Sequence, residues 1–262
     1  GLYLQNGASN SNVRVDQGAT LWSGGWCKNA TNNGTFLVTA SGAVRVDNFI
    51  QGATGNLGVW LGNPLYITYS ATLAGQLSVL GVKSGYTTKA KETVIEGGPI
   101  TGTFSSLKAA PNVFLDASLS YTNSAVYLDI NRINVANAIA GMSLSTITQV
   151  SAQRVESAMS AIDGQLAGTL PVGIGSAFID AAGALQQASS IAHADYSLRS
   201  LSGELHGASA AMTFDAIDVG RRALNGRLDT RSHAPQAAGG WYRDLSSSGT
   251  LAQGGFDSVG ID

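Results

Sequence analysis

The chain is poor in cysteine, in charge and in long apolar runs. Its 262 residues include one cysteine, Cys27, so the chain can form neither an internal disulfide framework nor a Cys-x-x-Cys metal knuckle. Charged residues make up 12%, and the net charge of −2 argues against a nucleic-acid partner. No window reaches the roughly 18 consecutive apolar residues that a membrane-spanning helix needs.

The common sequence patterns of catalytic and metal sites are also missing. No Gly-x-Ser-x-Gly nucleophile elbow occurs. The three histidines, His193, His206 and His233, all lie in the second half of the chain, and no His, Asp and Glu residues share metal-ligand spacing. We therefore expect a chain without catalytic residues, without a metal site and without a cofactor.

Short runs of alternating apolar and polar residues fill the first half of the chain. Leu57, Val59 and Leu61 are typical, and the same period of two returns near residues 13–21, 44–46, 77–79 and 126–130. Turn pairs such as Asn33-Gly34 bound these runs. Short strands at even spacing indicate a β-solenoid, a sandwich or a barrel, and the pattern alone does not choose among them.

In the second half the apolar residues recur at helical spacing. We expect one helix within residues 155–166, a second within 178–192 and a longer third within 203–228. The third run itself contains too many charged residues to face lipid. It is either a surface helix on a soluble core or a helix inside a water-filled pore. Its charged residues include Glu204, Asp215, Asp218, Arg221 and Arg222.

The last residues return to strand-like composition. Trp241 and Tyr242 begin this stretch, and Gly-rich and Ser-rich segments follow them. Paired aromatic residues at a strand start suit the interfacial girdle of an outer-membrane barrel, but a simple buried Trp explains one pair equally well.

Several segments, taken in order, resemble a known family. The segments 77–86, 98–104, 114–121 and 126–132 look like the C-terminal end of an autotransporter passenger, the autochaperone region. The stretch from 200–206 through 221–229 is similar to the α-helical linker before the translocator barrel. The version in subtilisin-like serine protease autotransporters is the most similar, and Gly240-Trp241 resembles the first barrel strand.

This resemblance implies a fold and a set of boundaries. The fold would be a β-solenoid, namely the end of a right-handed β-helix with an autochaperone cap, followed by an α-helical segment and the truncated start of an outer-membrane β-barrel. The boundaries would be 1–75 for the passenger end, 76–133 for the cap, 134–202 for a helical connector, 203–232 for the linker helix and 239–262 for the first barrel strands.

The resemblance also implies functional residues. The cap, richer in aromatic and aliphatic residues than the strands before it, would cover the last unpaired strand edge and the apolar cross-section behind it. The linker helix would carry the five charged residues named above, and Trp241 and Tyr242 would begin the barrel. The cap residues would be Tyr86, Phe104, Phe114, Leu115, Tyr121, Leu128 and Ile130.

The implied role is a non-catalytic stalk, autochaperone and linker that supports passenger folding and secretion across the outer membrane. Its partners would be its own translocator barrel, its passenger domain and the outer-membrane insertion machinery. Its location would be the cell surface and outer membrane of a Gram-negative bacterium. At the residue level, the chain departs from this family's catalytic pattern because it holds no Gly-Thr-Ser-type nucleophile start.

Two alternatives stay open. The parent polypeptide could be a secreted subtilisin-like serine endopeptidase of which this chain holds only non-catalytic parts. Alternatively, the chain could be the stalk of a surface adhesin whose aromatic residues form a carbohydrate-binding platform. The residues of that platform would be Trp22, Trp26, Tyr66 and Tyr69.

Overall fold

The computed structural model describes residues 2–4, 11–38, 43–81, 84–109, 112–233, 249–251 and 259–261. The chain divides into two compact units. The first combines Gly1–Asn134 with Met159–Ala194, and the second combines Val135–Ala158 with Asp195–Asp262.

The strands of the first unit are short, and glycine-containing turns separate many of them. They are β1 (Leu2–Leu4), β2 (Asn12–Val15), β3 (Thr20–Ser23), β4 (Trp26–Asn32), β5 (Thr35–Val38), β6 (Val44–Gln51), β7 (Asn56–Trp60), β8 (Leu65–Leu73), β9 (Gln76–Leu80), β10 (Lys89–Gly97), β11 (Ile100–Gly102), β12 (Ser106–Lys108), β13 (Leu115–Tyr121) and β14 (Ala125–Arg132).

These strands form two sheets. One is wholly parallel, with the order β1-β3-β5-β7-β9-β12. The other is mixed, with the order β13-β14-β10-β8-β6-β4-β2, and β11 also pairs with β8. Strands β1 to β9 fall alternately in the two sheets. Each of them therefore pairs in parallel with a strand two places before or after it in the chain. Strand β14 is antiparallel to both of its neighbours, β10 and β13.

The core lies on the inward faces of these strands. The alternation of apolar and polar residues places the apolar side chains on these inward faces, because successive side chains of a strand point to opposite faces. Leu57 and Val59 of β7 are fully buried, as are Val44 and Val46 of β6. The Phe36 and Phe49 rings meet edge to face, with centroids 5.7 Å apart, which is a favoured arrangement of two aromatic quadrupoles.

The helices come from the second half of the chain. They are α1 (Val135–Ala140), α2 (Thr146–Leu166), α3 (Ser176–Gln186), α4 (Ile191–Ser200) and α5 (Glu204–His233). The expectation of a single helix within 178–192 is wrong, because α3 ends at Gln186 and α4 starts at Ile191. Two further strands, β15 (Gly249–Leu251) and β16 (Val259–Ile261), pair antiparallel.

The expected fold class is wrong. The described residues form a mixed α/β fold with one parallel sheet, one mixed sheet and five helices, not a β-helix end followed by a separate helical segment and a barrel start. The mixed sheet ends in two antiparallel strands, β14 and β13. Residues 159–194, which are largely helical, belong to the same compact unit as the strands. Period-two alternation could not reveal this, since it reports which face of a strand is buried and not which strand lies beside it.

Among the described residues, no helix combines the length and the apolar character that crossing a bilayer requires.

Candidate functional site

The strand β10 is where the mixed sheet changes direction. On one side β10 pairs in parallel with β8, with Ile95 opposite Leu65. On the other side it pairs antiparallel with β14, with Glu92 opposite Leu128. The hairpin β13–β14 therefore covers the β10 edge and satisfies its backbone donors and acceptors.

Most of the expected cap residues lie at or near this hairpin. Leu128 and Ile130 of β14 are 2% and 6% exposed and point into the strand core. Leu115 and Tyr121 of β13 are partly buried and pack against the same core. The structure thus brings these four residues together on two adjacent strands.

The two expected phenylalanines are also buried. Phe104 belongs to the strand core, and its backbone N–H donates to the Tyr121 hydroxyl at 3.1 Å. Burial raises the pKa of Tyr121. Phe114 is fully buried immediately before β13, and its carbonyl accepts the N–H of Ile133.

Tyr86, unlike the other expected cap residues, is hydrogen-bonded to a helix through its side chain. Its hydroxyl donates to the Asp163 carboxylate at 2.8 Å and lies 3.0 Å from the carbonyl oxygen of Met159. Both partners belong to α2. Tyr86 therefore fastens a helix to the strands and contributes no side chain to the cap core.

Asp163 gathers three side chains from the strand region. The guanidinium of Arg132 donates to its Oδ2 through Nε at 2.8 Å and Nη2 at 2.7 Å, and Thr88 donates to Oδ1 at 2.7 Å. The Arg132 and Asp163 side chains are only 13% and 20% exposed. We call Tyr86, Thr88, Arg132 and Asp163 the helix clasp. Two charged N–H groups on one carboxylate oxygen, in a partly dry setting, form one of the stronger polar interactions of a protein.

A second attachment joins α3 to the same segment. The fully buried side chain of Gln186 accepts the Thr87 N–H at 2.8 Å and donates to the Thr87 carbonyl at 2.9 Å. The amide thus pairs with both backbone groups of one residue. Gly183 permits this approach, because a Cβ at that position would lie 2.6 Å from the Tyr86 nitrogen.

Sequence reasoning missed Arg132, Asp163, Thr88, Gln186 and Gly183. No local pattern marks them, since their partners are distant in sequence or are backbone groups. The one available signal was a polar residue, Gln186, directly after Leu185 on a helical stripe that we interpreted as apolar.

The expected linker residues lie on α5, which spans 30 residues, about 45 Å. Asp218 accepts from Arg221 at 2.6 Å and from Arg222 at 3.1 Å, and the hydrogen bond from Arg221 lowers the pKa of Asp218. Asp215 and Arg222 are 4.0 Å apart. These groups lie together on one helix face. The side chain of Glu204 lies outside the described residues, as do Trp241 and Tyr242.

Among the described residues, no three His, Cys, Asp or Glu side chains lie together as a group that could hold a metal ion. Cys27 is buried, and burial raises the pKa of its thiol to about 11, so it stays protonated and unreactive near neutral pH. The clasp carboxylate is occupied by its guanidinium and hydroxyl partners.

The four aromatic residues of the expected platform lie on two different sheets. Trp26 and Tyr66 belong to β4 and β8 of the mixed sheet, and Tyr69 follows on β8. Trp22 belongs to β3 of the parallel sheet. The structure therefore brings three of the four residues onto one sheet and separates the fourth.

Comparison with known proteins adds no family assignment. No protein-family model, no curated protein and no solved structure matches this chain.

Proposed function

We propose that this chain is a non-catalytic autochaperone and linker region of an autotransporter, which supports folding and secretion of a passenger across the outer membrane of a Gram-negative bacterium. The observation that carries the proposal is the change from parallel to antiparallel pairing at β10. The antiparallel hairpin ends the parallel series of the mixed sheet at β10, so a further strand can extend that parallel series only beyond β2.

The clasp supports the same role. Strands β10 and β14 pair with each other, Asp163 of α2 holds Arg132 of β14, and Gln186 of α3 holds the backbone of Thr87 just before β10. A unit with its own core and its own polar attachments can fold before its neighbours and offer them a formed strand edge. Strands that pair with this formed edge are then stabilised by it, without an external energy source.

The helix α5 supports the linker part of the proposal. Phe214, Ile217 and Leu224 are more than half exposed, and its Asp and Arg side chains pair with one another. A helix with these features needs a further partner, and in the proposed role that partner is the translocator barrel. The passenger domain and the outer-membrane insertion machinery are the other proposed partners.

In this proposal any peptidase activity belongs to the parent polypeptide and not to these residues. The support is that the sequence contains no Gly-x-Ser-x-Gly nucleophile elbow.

The test is surface display from the full-length parent gene. Cells expressing the wild type, Leu128→Asp and the control Asn131→Asp are treated with external protease, and the protease-resistant passenger is quantified together with the inserted translocator. We expect Leu128→Asp to lower the folded passenger at the surface while the inserted translocator is unchanged and the control behaves as wild type. Equal amounts of folded passenger in all three strains would overturn the proposal.

A further inference from the structure

An outward row of side chains crosses the mixed sheet. Cys27, Val46 and Ile67 stand opposite one another on β4, β6 and β8 and are buried, so their preceding neighbours point outward. The outward residues are also in register with Glu96 on β10. We call this set the aromatic row: Trp26, Arg45, Tyr66 and Glu96.

The spacing of the row is set by the sheet. Neighbouring strands lie about 4.8 Å apart, and two such steps separate Trp26 from Tyr66. That separation is close to the length of two pyranose residues in an extended β-linked chain. Two rings at this spacing can stack on alternate sugars of one straight chain.

The first ring is held in a fixed orientation. The indole Nε1 of Trp26 donates to Oδ1 of Asp47 at 3.0 Å, and Asp47 is itself buried. A ring fixed before binding loses little conformational entropy when a ligand stacks on it. Trp26 is therefore preorganised as a stacking surface.

The polar groups beside the rings are free to bind a ligand. Within the described part of the chain, Arg45 makes no ion pair and no side-chain hydrogen bond, and the same holds for Tyr66 and Glu96. A guanidinium, a phenol and a carboxylate supply the donors and acceptors that sugar hydroxyls require. Tyr69, 63% exposed on β8, adds another ring beyond the row.

A row of hydrogen-bonded polar side chains lies beside the aromatic row. Asn29 donates to Asn12 at 2.6 Å, Asn48 donates to Asn29 at 2.9 Å, and Ser70 donates to Asn48 at 2.9 Å. The amides are thus tied in a line parallel to the aromatic row. A strip with rings and hydrogen-bonding groups of both charge signs suits a polysaccharide better than a nucleic acid, which needs clustered positive charge.

We propose that the aromatic row is a binding site for a linear, β-linked polysaccharide, with Trp26 and Tyr66 as stacking rings and Arg45 as the hydrogen-bond donor between them. The row crosses four neighbouring strands in register, which favours an extended chain and disfavours a coiled α-linked one. The binding site is independent of the export role proposed above, since it uses only the outer face of the mixed sheet.

The test is titration calorimetry of the whole chain with defined hexasaccharides. The probes are a neutral β-1,4-linked glucose hexamer, a β-1,4-linked N-acetylglucosamine hexamer, a β-1,4-linked uronic acid hexamer and an α-1,4-linked glucose hexamer as control. We expect at least one β-linked hexamer to bind and the α-linked one not to bind. Preference for the uronic acid hexamer would assign an acidic polysaccharide, and preference for the others a neutral one.

Matched variants locate the site. Tyr66→Ala should weaken binding about tenfold or more, as removal of a central aromatic anchor does in other interfaces. Trp22→Ala removes an exposed ring of the parallel sheet and should leave the affinity unchanged. Unfolding midpoints equal to wild type confirm that both variants are folded. No binding of any β-linked hexamer at millimolar concentration, or equal losses in the two variants, would overturn the proposal.

Discussion

Asp163 is the residue that ties the helical residues of the first unit to the strands. Its carboxylate accepts from Arg132, Thr88 and Tyr86, and an amide at this position cannot hold the guanidinium by charge. We expect Asp163→Asn to lower the free energy of unfolding by about 2 kcal/mol, a value for loss of a charged hydrogen bond discounted for partial exposure. The measurement is urea denaturation.

Asp180 supplies the control for this prediction. It lies exposed on α3. Asp180→Asn should change the free energy of unfolding by less than about 0.5 kcal/mol. Equal stability of the two variants would show that the clasp contributes nothing.

Gly183 of α3 is closely packed against the backbone of Gly85 and Tyr86. In an open helix, Gly→Ala stabilises by up to about 1 kcal/mol. At position 183 the new Cβ would lie 2.6 Å and 2.7 Å from backbone atoms of Tyr86 and Gly85, so α3 has to move away. We expect Gly183→Ala to lower the urea midpoint, whereas Gly220→Ala on α5, where nothing lies within 4 Å, should raise helicity. A stabilising Gly183→Ala would contradict the close packing of α3.

At the scale of the element, β14 carries the cap. It is the central strand of three, between β13 and β10, and Leu128 points into the core. Leu128→Asp buries an unpaired carboxylate and should cost about 4 kcal/mol or more. Asn131→Asp introduces the same group on the outward face, between Lys89 and Asp116, whose charges offset each other. Thermal melts should therefore separate the two variants, and similar melts would mean that the inward face is misassigned.

Acid should weaken the ion pair that Asp218 forms on α5. Because Arg221 lowers the pKa of Asp218, the ion pair stabilises the folded helix above about 3.8, the ordinary value, and is lost as pH falls through the lower folded-state pKa. In a carboxyl NMR titration, Arg221→Ala should raise the Asp218 midpoint toward 3.8, and Arg231→Ala should not. A midpoint that is the same in both variants would remove Arg221 as the cause.

Element-level features were partly predictable from sequence. Alternation marked β7 and β14, because Leu57, Val59, Leu128 and Ile130 do point inward. The helical spacing of apolar residues did not show where α3 ends, since this spacing continues through the four residues between α3 and α4.

At the scale of the whole molecule, the sequence was a weaker guide. The fold class was wrong because strand pairing is decided by backbone contacts between distant segments, which a period of two does not encode. The attachment of α3 was missed for a related reason. Gln186 pairs with the backbone N–H and carbonyl of Thr87. Every residue type except proline has both groups, so the identity of the residue at position 87 could not signal the contact.

The central claim is that this chain supports the folding of a polypeptide linked to it. The most direct test is refolding from urea of the parent passenger linked to this chain, compared with the same passenger linked to the Leu128→Asp chain and with the passenger alone. Trypsin-resistant passenger is measured over time. The account predicts a several-fold higher yield with the intact chain, and nearly the same low yield for the Leu128→Asp fusion and the passenger alone. Equal yields from all three would contradict it.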